Sequence, residues 1–243
     1  MTPMLISQVL FNLGLLVACY AYILLIIFLA EKVVNVFHVS RKSSRKFLHS
    51  MIGNFVFIIP FFTFNSLPLN FPFLVAVPFV LVTFLATPYS PFKGVSEKLK
   101  GLSEITGEGH QTGLVLYAIS YTVLALLFSS KPYVIAAGIL PMAYGDASAA
   151  LIGEKYGKRQ YCFFAKKSLE GSLTMFTVTF VSFVLSIVFF SFLYPISVLN
   201  HLLPAFGLAL VATLAEAFSP LGVDNITVPA LSALIFLLLS GSL

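Results

Sequence analysis

The stretch Pro141-Met142-Ala143-Tyr144-Gly145-Asp146-Ala147-Ser148-Ala149-Ala150-Leu151-Ile152-Gly153-Glu154-Lys155-Tyr156-Gly157-Lys158-Arg159 runs from an apolar segment straight into a basic one. One carboxylate, Asp146, interrupts the apolar part. On insertion scales a carboxylate inside a membrane span costs about 2.5–3.5 kcal/mol, so Asp146 has to face a polar cavity or a charged partner. Gly145, Ala149, Gly153 and Gly157 recur every four residues and share one face if the helix continues that far. Small residues at this spacing bring a second helix, or a ligand, to backbone contact. The stretch thus reads as a membrane span with a polar edge, and the rest of the chain repeats that design.

Hydrophobic residues make up 59% of the 243 residues and charged ones 9%, against about 25% charged in soluble domains; mean hydropathy is +1.00. Residues 1–30, 50–92, 111–130, 171–215 and 225–243 carry no Asp, Glu, Lys or Arg. A crossing helix needs about 20 apolar residues, so 50–92 and 171–215 are each long enough for two. Asn65-Ser66-Leu67-Pro68 divides the first and the segment from Tyr194-Pro195 to Asn200 the second. With 132–152 added, the expected spans are 5–30, 48–65, 70–87, 111–129, 132–152, 171–193, 201–217 and 226–242. The fold class is therefore an all-α polytopic helical bundle in the membrane, with about eight spans, or seven if the short last one is dropped. Its single domain covers residues 1–243. The first segment lacks the basic start of a cleaved signal peptide, and its apolar core is too long for one.

Of the 14 Lys and Arg, all but Lys131 fall in 31–46, 93–100 and 155–167. These segments occupy alternate gaps between the eight spans and so open on one side. Cytoplasmic loops collect Lys and Arg, which puts 31–46, 88–110, 153–170 and 218–225 in the cytoplasm and both termini on the other side. The net charge of +5 fits this retention signal, and no compact basic domain is present to hold nucleic acid. Cys19 belongs in lipid and Cys162 in a cytoplasmic loop, so neither a disulfide nor a cysteine metal site is expected.

Four further polar groupings fall on the same side. Lys166-Lys167-Ser168-Leu169-Glu170-Gly171-Ser172 sets two ammonium groups at the mouth of a new helix. The orphan N–H groups there suit a phosphate, and Ser168 also suits a helix cap. Lys46 and His49 share a face where a loop enters the second span, with His49 a candidate proton carrier and the cluster Arg41 to Lys46 readable as snorkelling charge. Glycines flank Glu108 and His110, as in a nucleotide-covering loop or a plain connector. Glu216 ends the seventh span, and Asp224-Asn225 opens the eighth either as a polar turn or as part of a site. No Walker A loop, HExxH motif or nucleophile elbow occurs. Carboxylates and cations gathered on one face are the mixture that phosphoryl transfer needs.

The pieces Arg45-Lys46-(x2)-His49, Gly145-Asp146-Ala147-(x5)-Gly153-(x3)-Gly157-Lys158, Lys167-Ser168-(x)-Glu170-Gly171-Ser172 and Glu216-(x7)-Asp224-Asn225-(x)-Thr227-(x)-Pro229 resemble the CTP-dependent lipid-alcohol kinase family. That family includes phytol, farnesol and dolichol kinases and is related more distantly to phosphatidate cytidylyltransferases. The motifs come in the family's order over residues 45–229, with Ala147-Ser148 where many relatives have a second glycine. The resemblance implies transfer of the γ-phosphate of CTP to a membrane-embedded alcohol such as phytol, geranylgeraniol or farnesol, with Mg²⁺ or another divalent cation. It implies Asp146, His49, Lys167 and Glu170 as catalytic residues and Asp146, Glu216 and Asp224 as metal ligands. Nucleotide contacts would come from Lys46, Glu108, His110, Gly145, Gly153, Gly157, Lys158, Lys166, Ser168, Gly171 and Asn225. The expected partners are CTP, the lipid alcohol and membrane lipids, and a homo-oligomer is compatible with the sequence. A cytidylyltransferase and an anion transporter are the alternatives. The transporter is disfavoured because the non-cytoplasmic gaps hold little beyond Lys131, His201 and a few Ser and Asn.

Overall fold

A computed structural model describes residues 3–37, 41–99, 102, 112–220 and 222–241. Its centre is the rod Pro132–Tyr156. The rod begins as α6 (Pro132–Leu140), passes through a π-helical turn at Pro141–Asp146 and continues as α7 (Ala147–Tyr156). Pro141 supplies no N–H, so the regular ladder cannot pass through it, and a π-turn absorbs the missing bond. Val134, Ile135, Ala136, Ala137, Ile139, Leu140, Met142 and Ala143 are all 0% exposed. A helix apolar on every side belongs in the middle of its bundle, and this one sits there.

The other helices wrap the rod. α1 (Pro3–Phe37) packs against α2 (Arg41–Gly53) and against α3 (Phe71–Leu85), which leans on α5 (Gly113–Phe128). A short α4 covers Lys93–Lys98. α8 (Leu169–Ser191) lies along both the π-turn and α7, while α9 (Leu202–Phe218) and α10 (Asp224–Ser240) pair with each other and close the ring. Outward side chains such as Leu173, Leu185, Phe192 and Leu203 remain exposed, giving the bundle the apolar surface that lipid covers. Among the described residues, four helices are long and apolar enough to cross a membrane: Met4–Ala30, Pro132–Tyr156, Leu169–Ser191 and Leu199–Phe218. Phe71–Leu85, Gly113–Phe128 and Asp224–Ser240 are shorter apolar helices.

Three expectations need correction. The segment 48–65 is not one α-helix: α2 ends at Gly53, and 3₁₀ turns at Asn54–Phe57 and Ile59–Phe61 follow. Pro60 lies in the second turn and bars a continuous ladder. Arg41 to Lys46 are helical rather than loop, with Arg45 and Lys46 only 7% and 6% exposed, so at these two positions the snorkelling account fails. Lastly, 153–170 contains an antiparallel hairpin, β3 (Gln160–Cys162) with β4 (Lys166–Ser168), paired Gln160 to Ser168 and Cys162 to Lys166. Another small hairpin, β1 (Asn65–Ser66) with β2 (Leu69–Asn70), forms at the expected turn. Both cysteines are free, Cys19 buried and Cys162 exposed.

Candidate active site between α2, the π-turn and the β3–β4 hairpin

One polar cavity of about 560 Å³ opens where α2, the π-turn, α7, the β3–β4 hairpin, α8, α9 and α10 converge. α2 turns Arg45 and Lys46 into it, and the end of the π-turn brings Asp146. α7 adds Gly153 and Glu154; the hairpin adds Gln160, Cys162, Phe164, Lys166 and Lys167; α8 adds Ser168, its cap, together with Gly171 and Ser172. Glu216 comes from the end of α9 and Asp224 from the start of α10. The turn before Asp224 depends on Gly222, whose φ of +85° is a conformation that side-chain-bearing residues avoid.

Local structure explains the placement. Ser50 Oγ donates to the carbonyl of Ala143, and Tyr144 Oη to Asn54 Oδ1, so α2 grips the π-turn just ahead of Asp146. The small-residue face of the rod meets α8. A Cβ on Gly153 would lie 2.9 Å from Ser168 Oγ, and one on Gly171 would lie 3.1 Å from the carbonyl oxygen of Ala149. That close crossing sets the start of α8 against the cavity. Ser168 Oγ accepts from the Gly171 N–H at 3.1 Å, so the helix cap and the cavity wall are the same residue. The hairpin is pinned at its base, where the Leu169 N–H donates to the Arg159 carbonyl at 2.9 Å.

The charges inside are paired. Lys46 Nζ is bonded to Asp146 Oδ2 and Lys167 Nζ to Glu216 Oε1. Asp224 Oδ1 accepts from the backbone N–H and the side-chain amide of Asn225, both at 2.9 Å. Burial pulls the Lys167 ammonium down, but Glu216, Asp146 and Asp224 outweigh it and raise it above the ordinary lysine value. Arg45, an arginine, stays a cation at any physiological pH. Buried ion pairs contribute little net stability, so a cluster retained at this depth points to function.

The cavity gathers Asp146, Lys46, Lys166, Lys167, Ser168, Gly153, Gly171, Glu216 and Asp224 from the expected set. The others lie elsewhere. His49 is 1% exposed behind the cavity wall, its ring stacked on Tyr117 with centroids 4.4 Å apart. Glu170 accepts from the Arg159 N–H at 3.3 Å through both carboxylate oxygens, which ties α8 to the hairpin. Asn225 braces its own helix end, donating to Gly222 O at 3.1 Å as well as to Asp224. Gly145 packs on Met175 and Thr179 of α8, Gly157 ends α7 against Ser168, and Lys158 is exposed outside the lining. Glu108 and His110 lie outside the described residues. Arg45, Glu154 and Gln160 were not expected here. The signal for Arg45 was its place beside Lys46, at the entry to an apolar helix.

Among the described residues, no three of Asp, Glu, His and Cys stand close enough together to hold a metal ion. Mg²⁺ is normally held by one or two carboxylates plus substrate phosphates rather than by a protein cage. Four carboxylates, Asp146, Glu154, Glu216 and Asp224, line a cavity that also carries four cations, which fits that mode.

No family model and no solved structure matches the chain. Among curated proteins, "Phytol kinase" of Synechocystis is 41% identical over 129 residues, which is 52% of this chain and 54% of that protein, so the match spans about half of that relative's length. "Probable phytol kinase, chloroplastic" of Triticum aestivum is 31% identical over 215 residues, 84% of this chain and 69% of the relative. "Dolichol kinase" of Saccharomyces cerevisiae is 30% identical over 202 residues, 79% of this chain and 36% of the relative. The wheat protein is similar over most of both lengths, and residues from each of the four motifs that suggested a lipid-alcohol kinase line one cavity; the chain belongs to the polyprenol and lipid-alcohol kinase family.

Proposed function

We propose that this protein transfers the γ-phosphate of CTP, with Mg²⁺ or another divalent cation, to an isoprenoid alcohol drawn from the bilayer. The observation that carries the reading is the single cavity in which Arg45, Lys46, Lys166 and Lys167 face Asp146, Glu216 and Asp224. The alcohol oxygen attacks the γ-phosphorus, the bond from that phosphorus to the β-phosphate oxygen breaks, CDP leaves, and the hydroxyl proton passes to Asp146. Phosphoryl transfer of this kind requires positioning and charge neutralisation more than covalent help from the protein. The lysines supply neutralisation, and the Ser168 end of α8 adds unpaired N–H groups and a partial positive charge. Asp146, with Glu216 or Asp224, would hold the cation together with the phosphates, and its chemistry when bound is to screen their charge. His49 and Glu170 act as positioning residues, the first behind Asp146 and the second under the hairpin.

In this proposal the chain crosses the membrane eight times, with α2 and the 3₁₀ turns after it forming the second crossing. The cavity opens to the cytoplasm beside the Lys- and Arg-rich segments, and the N-terminus lies on the other side. The test is purified protein in bilayer discs with Mg²⁺, a panel of isoprenoid alcohols and CTP or ATP labelled at the γ- or α-phosphate. The expected result is γ-label on the lipid and none after chelation of the metal. α-Label on the lipid would instead identify a cytidylyltransferase, and no label on any lipid would end the enzyme assignment.

A further inference from the structure

A second cavity lies on the far side of His49. It is apolar, about 60 Å³, and sits between α1, α2, α3 and α5, where Ile27, Leu48, Ile52, Phe79, Tyr117 and Tyr121 line it. α2 serves both cavities: Lys46 faces the polar one, and Leu48 and Ile52, on the next turn or two, face the apolar one. His49, one residue from Leu48 and three from Lys46, stacks its ring on Tyr117 of the apolar lining, and Tyr117 Oη donates to the His49 carbonyl at 3.2 Å. On its other side His49 lies close enough to Asp146 for their charges to interact. The stacked pair thus joins a wall residue of the hydrocarbon-lined slot, Tyr117, to the neighbourhood of the carboxylate in the proposed reaction.

A lipid alcohol needs this juxtaposition, because its hydroxyl must reach the phosphates while the carbons beside it must stay out of a cavity full of charge. We infer that the apolar slot seats the tail segment next to the hydroxyl, with the His49–Tyr117 stack beside the reacting end; this rests on the function proposed above. The slot's size sets what it reads. Its volume of about 60 Å³ is under half of the ~150 Å³ that accommodates a benzene ring. It grips the first carbons only, and the remainder of the tail runs out between α1 and α3 toward lipid, where Leu24 and Leu81 are exposed. Selectivity then falls on branching and saturation near the hydroxyl, and total chain length counts for little.

The experiment uses the full chain in bilayer discs with a long isoprenoid alcohol carrying a diazirine on the carbons beside its hydroxyl. The expected photoproducts are on α2 and α5, at residues around Ile52 and Tyr117 to Tyr121; label confined to the outer faces of α8 and α9 overturns the inference. This readout needs no turnover, so it stands apart from the kinase reading, which fails by itself if wild-type protein phosphorylates no alcohol. Kinetics supply the second arm. Ala118 also lines the slot, so Ala118→Phe fills it and should raise KM for the alcohol about tenfold with KM for CTP unchanged. Ile27→Ala enlarges the slot without adding bulk, and should improve use of an alcohol branched beside its hydroxyl. Unchanged alcohol KM in the first variant and unchanged branching preference in the second, both correctly folded, would overturn the assignment.

Discussion

Separating what the Lys46–Asp146 pair does for the fold from what it does for the reaction needs three variants: Lys46→Met, Asp146→Asn and the two combined. Both side chains are nearly inaccessible, at 8% and 4% exposed. Removing one partner of a buried pair costs about 3–5 kcal/mol, because the other charge is stranded. The lower end applies here, since Glu216, Asp224 and Lys167 lie near enough to interact with whichever charge remains. For a protein of this size about 3 kcal/mol corresponds to a fall of roughly 6–12 °C in the unfolding midpoint. The double variant strands nothing and should recover most of that fall. Its activity should not recover. A charge acting on the transferring phosphoryl group is worth about 10²–10³ in kcat, and neutralising both partners forfeits it. Thermal unfolding in detergent and initial rates of γ-label transfer make the comparison. Activity that returns together with stability in the double variant would make the pair structural and refute its catalytic role, as would full activity in Asp146→Asn.

The exposed Cys162 thiol lines the polar cavity while Cys19 is buried, so maleimide should label Cys162 selectively and CTP with Mg²⁺ should slow that labelling. Labelling at the same rate with and without nucleotide would place the nucleotide elsewhere. Gly171→Val sets a side chain where even a Cβ lies 3.1 Å from the Ala149 carbonyl oxygen, which should cost about 1–3 kcal/mol of overpacking; an unchanged unfolding midpoint would contradict the close crossing of α7 and α8. The raised Lys167 ammonium gives a pH signature. Because its folded-state value lies above the unfolded one, its contribution to stability is complete below the ordinary lysine range near ~10.4 and is lost as pH rises through the higher folded value. The gap in unfolding midpoint between wild type and Lys167→Met should therefore stay level from about pH 7 to about pH 9, and a gap that closes within that window would count against the Lys167–Glu216 pairing.

Asp146 was legible in the sequence because a carboxylate in an apolar run has few physical explanations, and the one-sided distribution of Lys and Arg pointed to where its partners would come from. The β3–β4 hairpin was not legible. Three residues per strand are too few for an alternating pattern to stand out, and a segment holding Lys158, Arg159, Lys166 and Lys167 looks like an ordinary charged loop. The π-turn left one mark, Pro141 within a helical run, but a proline alone does not distinguish a kink from a helix end. Glu170 and Asn225 show a different limit. Both stand in the quoted motifs, yet their hydrogen bonds go to Arg159 and Gly222, and only tertiary structure separates a residue that lines a site from one that holds the wall in place.

The two lysine–carboxylate bonds also fix the order in which ligands can be accommodated. Asp146 is bonded to Lys46 and Glu216 to Lys167, and the four cations Arg45, Lys46, Lys166 and Lys167 equal in number the four carboxylates Asp146, Glu154, Glu216 and Asp224. A divalent cation entering alone must displace lysines from the carboxylates that neutralise them. A triphosphate entering alone must draw the lysines away and leave carboxylates stranded at low dielectric, where an unpaired charge is most costly. When both enter together the partners exchange, carboxylates to metal and lysines to phosphate, and no charge is left without a counterion at any stage. In the proposed reaction this exchange makes nucleotide and metal binding mutually dependent. It also gives a physical reason for a membrane protein to bury ion pairs that add little to its own stability: they hold the site open and neutral until the substrate that can replace them arrives.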